Sequence, residues 1–192
     1  VDYATLAELK AARRITDTAD DAALQQALTA ASRAIDRRCG RVFGLDADAS
    51  ARVFRPWGRV VSDPDGERLM VDDIGNATGL VVEVGDGTTW TAVTDYELLP
   101  DNAAARGEPV TGLLRPYGTW GCQRVRVTAR WGWPAVPDEI RQAALLLANR
   151  LYLRKDSPEG IAGSSEWGVI RLSRWDPDVE SLVGPYVLPG FA

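Results

Sequence analysis

Residues 124–152 read RVRVTARWGWPAVPDEIRQAALLLANRLY, and no other run constrains the fold as much. The run opens with alternation. Val125, Val127 and Ala129 interleave with Arg124, Arg126, Thr128 and Arg130, which predicts a strand with one apolar and one basic face. An aromatic turn, Trp131-Gly132-Trp133, follows, and Pro137 opens a helix. In that helix Ile140, Ala144, Leu147 and Leu151 fall at i, i+4, i+7 and i+11 and form one stripe. Ala143, Leu145, Leu146, Ala148 and Leu153 fill neighbouring angles. A helix apolar over so much of its circumference is buried on several sides. In a chain of 192 residues, a second subunit is a candidate cover for one of those sides.

The segments before this run alternate helix and strand signals. Thr5 to Arg14 predicts a short helix, with Thr5 and Glu8 at capping-box spacing. A second helix is expected from Thr18, with Asp20 and Asp21 in its first turn, to about Cys39, stopping at Gly40. Its stripe is Leu24, Leu28, Ala31 and Ile35. Arg33, Arg37 and Arg38 sit late in this helix, where cations suit the macrodipole; Asp36 among them argues against a DNA-facing patch. From Gly44 to Arg130 the period changes to short Val-, Thr- and Trp-rich runs broken by Gly, Pro, Asp and Asn. Candidate strands are 52–57, 68–71, 80–84, 89–93, 112–115 and 123–131, with hairpin turns at Asp63-Pro64-Asp65-Gly66 and Gly85-Asp86-Gly87. Beyond Lys155, 168–173 predicts an exposed strand, and Asp176-Pro177-Asp178 opens a short helix to about Val183.

These elements predict an α+β fold: a small helical bundle with an inserted antiparallel β region and an extended C-terminal segment. Residues 1–44 and 131–155 supply the bundle, 45–130 the β-rich insert, and 156–192 an arm with a short helix near 177–183. Deleting 157–192 is expected to spare the fold of 1–155.

Composition removes several classes of chemistry. The 192 residues contain no histidine, which excludes Ser-His-Asp, Cys-His and histidine-metal sites within them. Cys39 and Cys122 read as two small buried thiols rather than a disulfide framework or zinc site. Asp46/Asp48 and Asp63/Asp65/Glu67 lack the further ligands of a calcium loop and read as turns. No phosphate-binding loop is present, so no catalytic residue, cofactor or metal is assigned. The net charge of −5 divides as +1 over 1–44, −4 over 45–130 and −2 over 131–192, with no basic nucleic-acid arm. No run reaches the length of a membrane span, and VDYATLAELKAARR does not read as a signal peptide, so a cytoplasmic product is expected. Of seven tryptophans, Trp131 and Trp133 are expected in core or interface packing, and Trp167 and Trp175 flank the exposed strand.

The order of these parts resembles the head–tail connector (adaptor, or head-completion) proteins of long-tailed bacteriophages. The resemblance rests on four segments: the two-helix segment at 3–41, TDYELLPDN at 94–102, VRVTARWGWPAVPDEIRQAALLLANRLYLRK at 125–155, and SPEGIAG…WGVIRLSRWDPDVESLVGPY over 157–186. It implies a structural virion protein without enzyme activity, located in the neck. Such proteins form a ring, typically of twelve copies, under the portal; the ring extends the DNA channel and offers a docking surface to the stopper or tail. The implied partners are the portal protein, a stopper or tail-completion protein, other copies of the chain, and genomic DNA passing through the lumen without sequence-specific binding. No membrane is involved. Trp167, Val169, Ile170, Arg171, Leu172, Arg174 and Trp175 are the candidate portal contacts, and Leu145, Leu146, Leu153, Arg33 and Arg37 the candidate ring interface. The basic strand face is expected to meet carboxylates of a neighbour. Competing readings are another virion ring protein, such as a stopper or tail-completion protein, a β-rich carbohydrate- or peptide-binding module, and a carboxylate-based enzyme.

Overall fold

The computed structural model describes residues 1–121, 123–154, 161–162, 170–171 and 176–188. It divides into two compact units, Val1–Val42 with Val136–Ala192, and Phe43–Ala135. Helices and an antiparallel sheet give the α+β class expected from the sequence.

The first unit is helical. Helix α1 (Leu6–Arg13) begins at a reciprocal capping box: the Glu8 N–H donates to Thr5 Oγ1 at 3.2 Å, and the Thr5 N–H donates to Glu8 Oε2 at 2.6 Å. Helix α2 (Asp21–Cys39) starts later than Thr18, because 18–20 form a turn ahead of the first helical residue. Leu24, Leu28, Ala31 and Ile35 are fully buried, so the predicted stripe is the core face. Helix α4 (Asp138–Leu153) packs chiefly on α2 and buries Ile140, Ala143, Ala144, Leu147, Ala148 and Tyr152. The Tyr152 hydroxyl donates to Asp20 at 2.6 Å, and Arg13 lies over the Tyr152 ring, joining the start of α2 and the end of α1 to α4.

Residues 176–188 carry the short helix expected at 177–183. Helix α5 (Pro177–Val183), capped by Asp176, packs on α4 and α2 and buries Val179 and Val183. Glu180 pairs with Arg38, Asp176 with Arg150 at 2.7 Å, and the Leu188 N–H donates to the Cys39 carbonyl at 2.9 Å. One side of the over-apolar α4 is therefore covered from within the chain. Deleting 157–192 would remove Val179 and Val183, which are buried here. That burial is decided by tertiary structure: α5 is too short to show a helical stripe of its own.

The second unit is a sheet in the order β1-β7-β3-β6-β5, with β2 and β4 also paired to β3. Its strands are β1 (Ser50–Phe54), β2 (Val60–Asp63), β3 (Gly66–Gly85), β4 (Trp90–Ala92), β5 (Glu97–Leu99), β6 (Val110–Pro116) and β7 (Arg124–Trp131), with the single turn α3 (Ala103–Arg106) between β5 and β6. The separate strands expected at 68–71 and 80–84 are the two ends of β3. Register shifts at 70–74 against β6 and at 74–81 against β7 bend β3, and both halves contribute to one core. That core includes Phe54, Leu69, Ile74, Val82, Leu113, Val125, Val127 and Trp131. β2 and β5 escape a sequence reading because each is short and carries exposed or half-buried residues rather than a clean alternation. Both predicted hairpin turns form, between β2 and β3 and between β3 and β4.

The aromatic turn is fixed by Gly132. Its φ is +99°, and a Cβ there would lie 1.8 Å from the Gly44 carbonyl oxygen. The flanking rings are core: Trp131 donates to the Ser50 carbonyl at 2.8 Å, and Trp133 donates to Asp73 at 3.1 Å and packs on Phe43.

Truncating the stripe of α2 tests the helical core. Leu28→Ala should lower unfolding free energy by about 2–5 kcal/mol, read by urea denaturation. The β3–β4 turn supplies a pH test. Asp86 Oδ1 accepts from the Thr89 N–H, the Thr88 hydroxyl and the Thr88 N–H, which lowers the carboxyl from 3.8 to about 2. A depressed folded-state pKa stabilises above the unfolded value and is lost as pH falls from about 4 toward 2. Asp86→Asn should flatten the stability–pH curve in that window, measured by thermal melts.

Candidate interaction surfaces

The face of α4 left over by α1, α2 and α5 is the first candidate. Leu146 is 37% and Leu153 50% exposed, seven residues apart on one side of the helix, and Leu145 is half-buried. Asn149 and Arg150 lie beside them on the same helix. Two leucines at i and i+7 form an apolar strip open to solvent. Of the two arginines assigned to the same interface, Arg33 is occupied within the chain: it pairs with Asp36 at 2.9 Å, donates to the Val1 carbonyl at 2.5 Å and lies over the Tyr3 ring. Arg37 is exposed and has no ion pair among the described residues.

Of the portal candidates, Ile170 and Arg171 form β9 (Ile170–Arg171), antiparallel to β8 (Ile161–Ala162), with Ile161 opposite Arg171 and Ala162 opposite Ile170. Trp167, Val169, Leu172, Arg174 and Trp175 lie outside the described residues, as do Cys122 and the turn expected at 157–159.

The basic face of β7 corrects an expectation. Arg126 makes a forked pair with Glu83 on the neighbouring strand, at 2.7 and 2.8 Å, and stacks over Trp90. That pairing lowers the Glu83 carboxyl and raises the Arg126 guanidinium. Arg130 donates to the Asp46 carbonyl at 3.0 Å. Two of the three arginines expected to seek a neighbour's carboxylates are thus engaged by their own sheet. Cross-strand pairing is invisible until register is known. Arg124 alone forms no pair among the described residues.

A third surface had no sequence forecast. The turn after β1 places Pro56 inside and Trp57 outside, 95% exposed, with Gly58 at φ +76°. The Arg59 and Val60 N–H groups both donate to the Pro56 carbonyl, at 2.8 and 3.1 Å. This turn, Val60, Glu67, Gly121, Gln123 and Arg124 line an open cavity of about 640 Å³. Tyr117, on the loop that leads from β6 to Gly121, is 92% exposed and adopts φ +54°, a left-handed conformation unusual for a bulky residue. Its N–H donates to the Asp65 carbonyl at 2.7 Å, and the Glu67 N–H donates to the Gly118 carbonyl at 3.3 Å. Such a conformation costs on the order of 1–3 kcal/mol where the surroundings must enforce it. The only sequence sign was two aromatics in Gly- and Pro-containing turns.

The carboxylates weighed as calcium ligands are used otherwise: Asp63 pairs with Arg68 at 2.8 Å, and Glu67 accepts from the Trp120 N–H at 2.6 Å. Cys39 is buried, which pushes its thiol up to about 11.

Residues 3–70 match the model of the Phage gp6-like head-tail connector protein family. That match covers roughly a third of the chain. It takes in α1, α2, β1, β2 and the start of β3, so it crosses from the helical unit into the β unit. The resemblance carried by the residues is borne out there. No curated protein matches the chain. Among solved structures, a chain from the neck of an empty GTA particle, computed with C6 symmetry, is 20% identical. Its TM-score is 0.52, with 97% of this chain and 90% of that one covered. A chain from the virion of a native gene transfer agent particle gives 20% identity, a TM-score of 0.50 and the same coverage. At that identity the likeness is one of fold, and it spans both units.

Conservative charge removal tests the Arg126–Glu83 pair. Arg126→Gln should leave the unfolding free energy little changed, because both partners are partly exposed and water screens the pair; chemical denaturation checks it.

Proposed function

We propose that this chain is a structural protein of a phage-type virion neck, a head–tail connector. Several copies, twelve in the family pattern, form a ring under the portal, continue the DNA channel and present a docking surface for the stopper or tail. The observation that carries this reading is the connector-family match over 3–70. The fold likeness to a chain from the neck of a gene transfer agent particle supports it, because both units and their order along the chain recur there. The role is architectural and assigns no catalytic residue.

The helical unit supplies a plausible physics for the ring. Leu146 and Leu153 form an apolar strip that no described residue of the chain covers, and the exposed Arg37 adds a charge for a neighbour's carboxylate. A ring contact joins two different patches and closes by rotation, so one strip per subunit suffices. Burying an exposed leucine contributes about 1.5–3 kcal/mol per contact, repeated around the ring. Portal contact is assigned to the segment around β9, where Ile170 and Arg171 belong to a two-strand ribbon able to extend a partner's sheet edge.

Native mass spectrometry of the chain with the portal protein of its own virus tests the reading. The expected outcome is a discrete complex with one copy per portal subunit. No complex between folded partners would overturn portal binding and redirect the search to tail proteins. Leu146→Asp should leave the monomer's thermal melt unchanged and abolish ring formation. A ring that persists would show that the strip is not the interface. The paired substitution Ile170→Asp and Arg171→Glu should weaken portal binding by about tenfold or more while the ring forms normally.

A further inference from the structure

Arg55, Trp57 and Arg124 form a rim of the cavity on the β unit, and Tyr117 stands on the loop that leads from β6 to the lining residue Gly121. Trp57 and Tyr117 are the two most exposed large hydrophobic side chains described. Tyr117 holds a left-handed backbone conformation that glycine or asparagine would adopt with less strain, and its ring projects into solvent. Arg55 and Arg124 are exposed, line the same cavity as Trp57, and make no ion pair or hydrogen bond among the described residues. The one carboxylate lining that cavity, Glu67, already accepts from the Trp120 N–H at 2.6 Å. Aromatic rings beside unpaired guanidinium groups are the side chains that dominate binding energy at protein interfaces.

We propose that this rim is a docking site for an acidic segment of a partner protein, with carboxylates on Arg55 and Arg124 and an apolar side chain in the cavity beside Trp57. Charge selects this occupant. Two unpaired arginines facing an open cavity bind short carboxylate segments through forked contacts. A polyanion such as DNA would feel the whole unit, and residues 45–130 sum to −4, which opposes it. The site is independent of the ring reading, because it lies wholly within the β unit and the α4 strip lies in the helical one.

Fluorescence anisotropy on the full chain tests it. The probe is a labelled peptide of about a dozen residues, with two glutamates flanking a central leucine and neutral residues elsewhere. Its glutamine counterpart and a DNA duplex of about a dozen base pairs are the controls. The glutamate peptide should bind, and the glutamine peptide should bind about tenfold or more weakly. R55E with R124E should abolish binding; if that pair unfolds the chain, R55Q with R124Q serves instead and should weaken binding in the same direction. Trp57→Ala should weaken it about tenfold. Tyr117→Gly separates binding from stability: the melting temperature should hold or rise by a few degrees as strain is relieved, while affinity falls. Equal binding of both peptides, unchanged affinity in the arginine variants, tighter binding of the duplex, or no peptide binding at millimolar concentration would each overturn the proposal. Ring formation, read separately by native mass spectrometry, should be unaffected by all of these variants.

Discussion

The packing of α2 on α4 is the interaction on which the helical unit depends. The two helices lie about a hundred residues apart in sequence, and the whole β unit is threaded between them. Their contact closes a long loop, whose entropic cost grows only slowly with length, so a domain-sized insertion is tolerated. What the contact needs in return is a continuous apolar seam. Leu24, Leu28, Ala31 and Ile35 on one side and Ile140, Ala143, Ala144 and Leu147 on the other supply it, with essentially no water-exposed surface. The small residues let the helices approach; the large ones interlock.

That seam also organises what is attached to it. Helix α5 lies where α4 and α2 leave a second groove, and its carboxylates meet the arginines late in α2 and α4. The result is a helix hydrophobic nearly all round that is nonetheless largely buried inside one chain, with Leu146 and Leu153 left over. A leftover strip is a smaller and better-defined surface than the sequence suggested.

The β unit follows a different rule. Its core collects residues from both halves of one long bent strand, and its charged outer face is largely self-paired through Arg126 and Glu83. Its two most exposed large side chains among the described residues, Trp57 and Tyr117, stand in turns. Loops carry recognition because a rigid scaffold fixes them without packing demands on their tips.

Local rules were legible in the residues themselves. The Thr5–Glu8 cap, the α2 and α4 stripes, the alternation of β7, the two Asp- and Gly-bearing hairpin turns and the Gly132 bend each depend on neighbours within a few positions, so spacing alone determined them. The family resemblance came from the order of those same parts. Tertiary structure decided the rest. It merged two predicted strands into β3, packed the predicted helix at 177–183 onto α4 and α2, paired Arg126 of β7 within its own sheet, and brought the turns around Trp57 and Glu67 to one cavity with Arg124. Each of those outcomes depends on which distant segments meet, and a residue's spacing from its sequence neighbours carries no information about partners a hundred positions away.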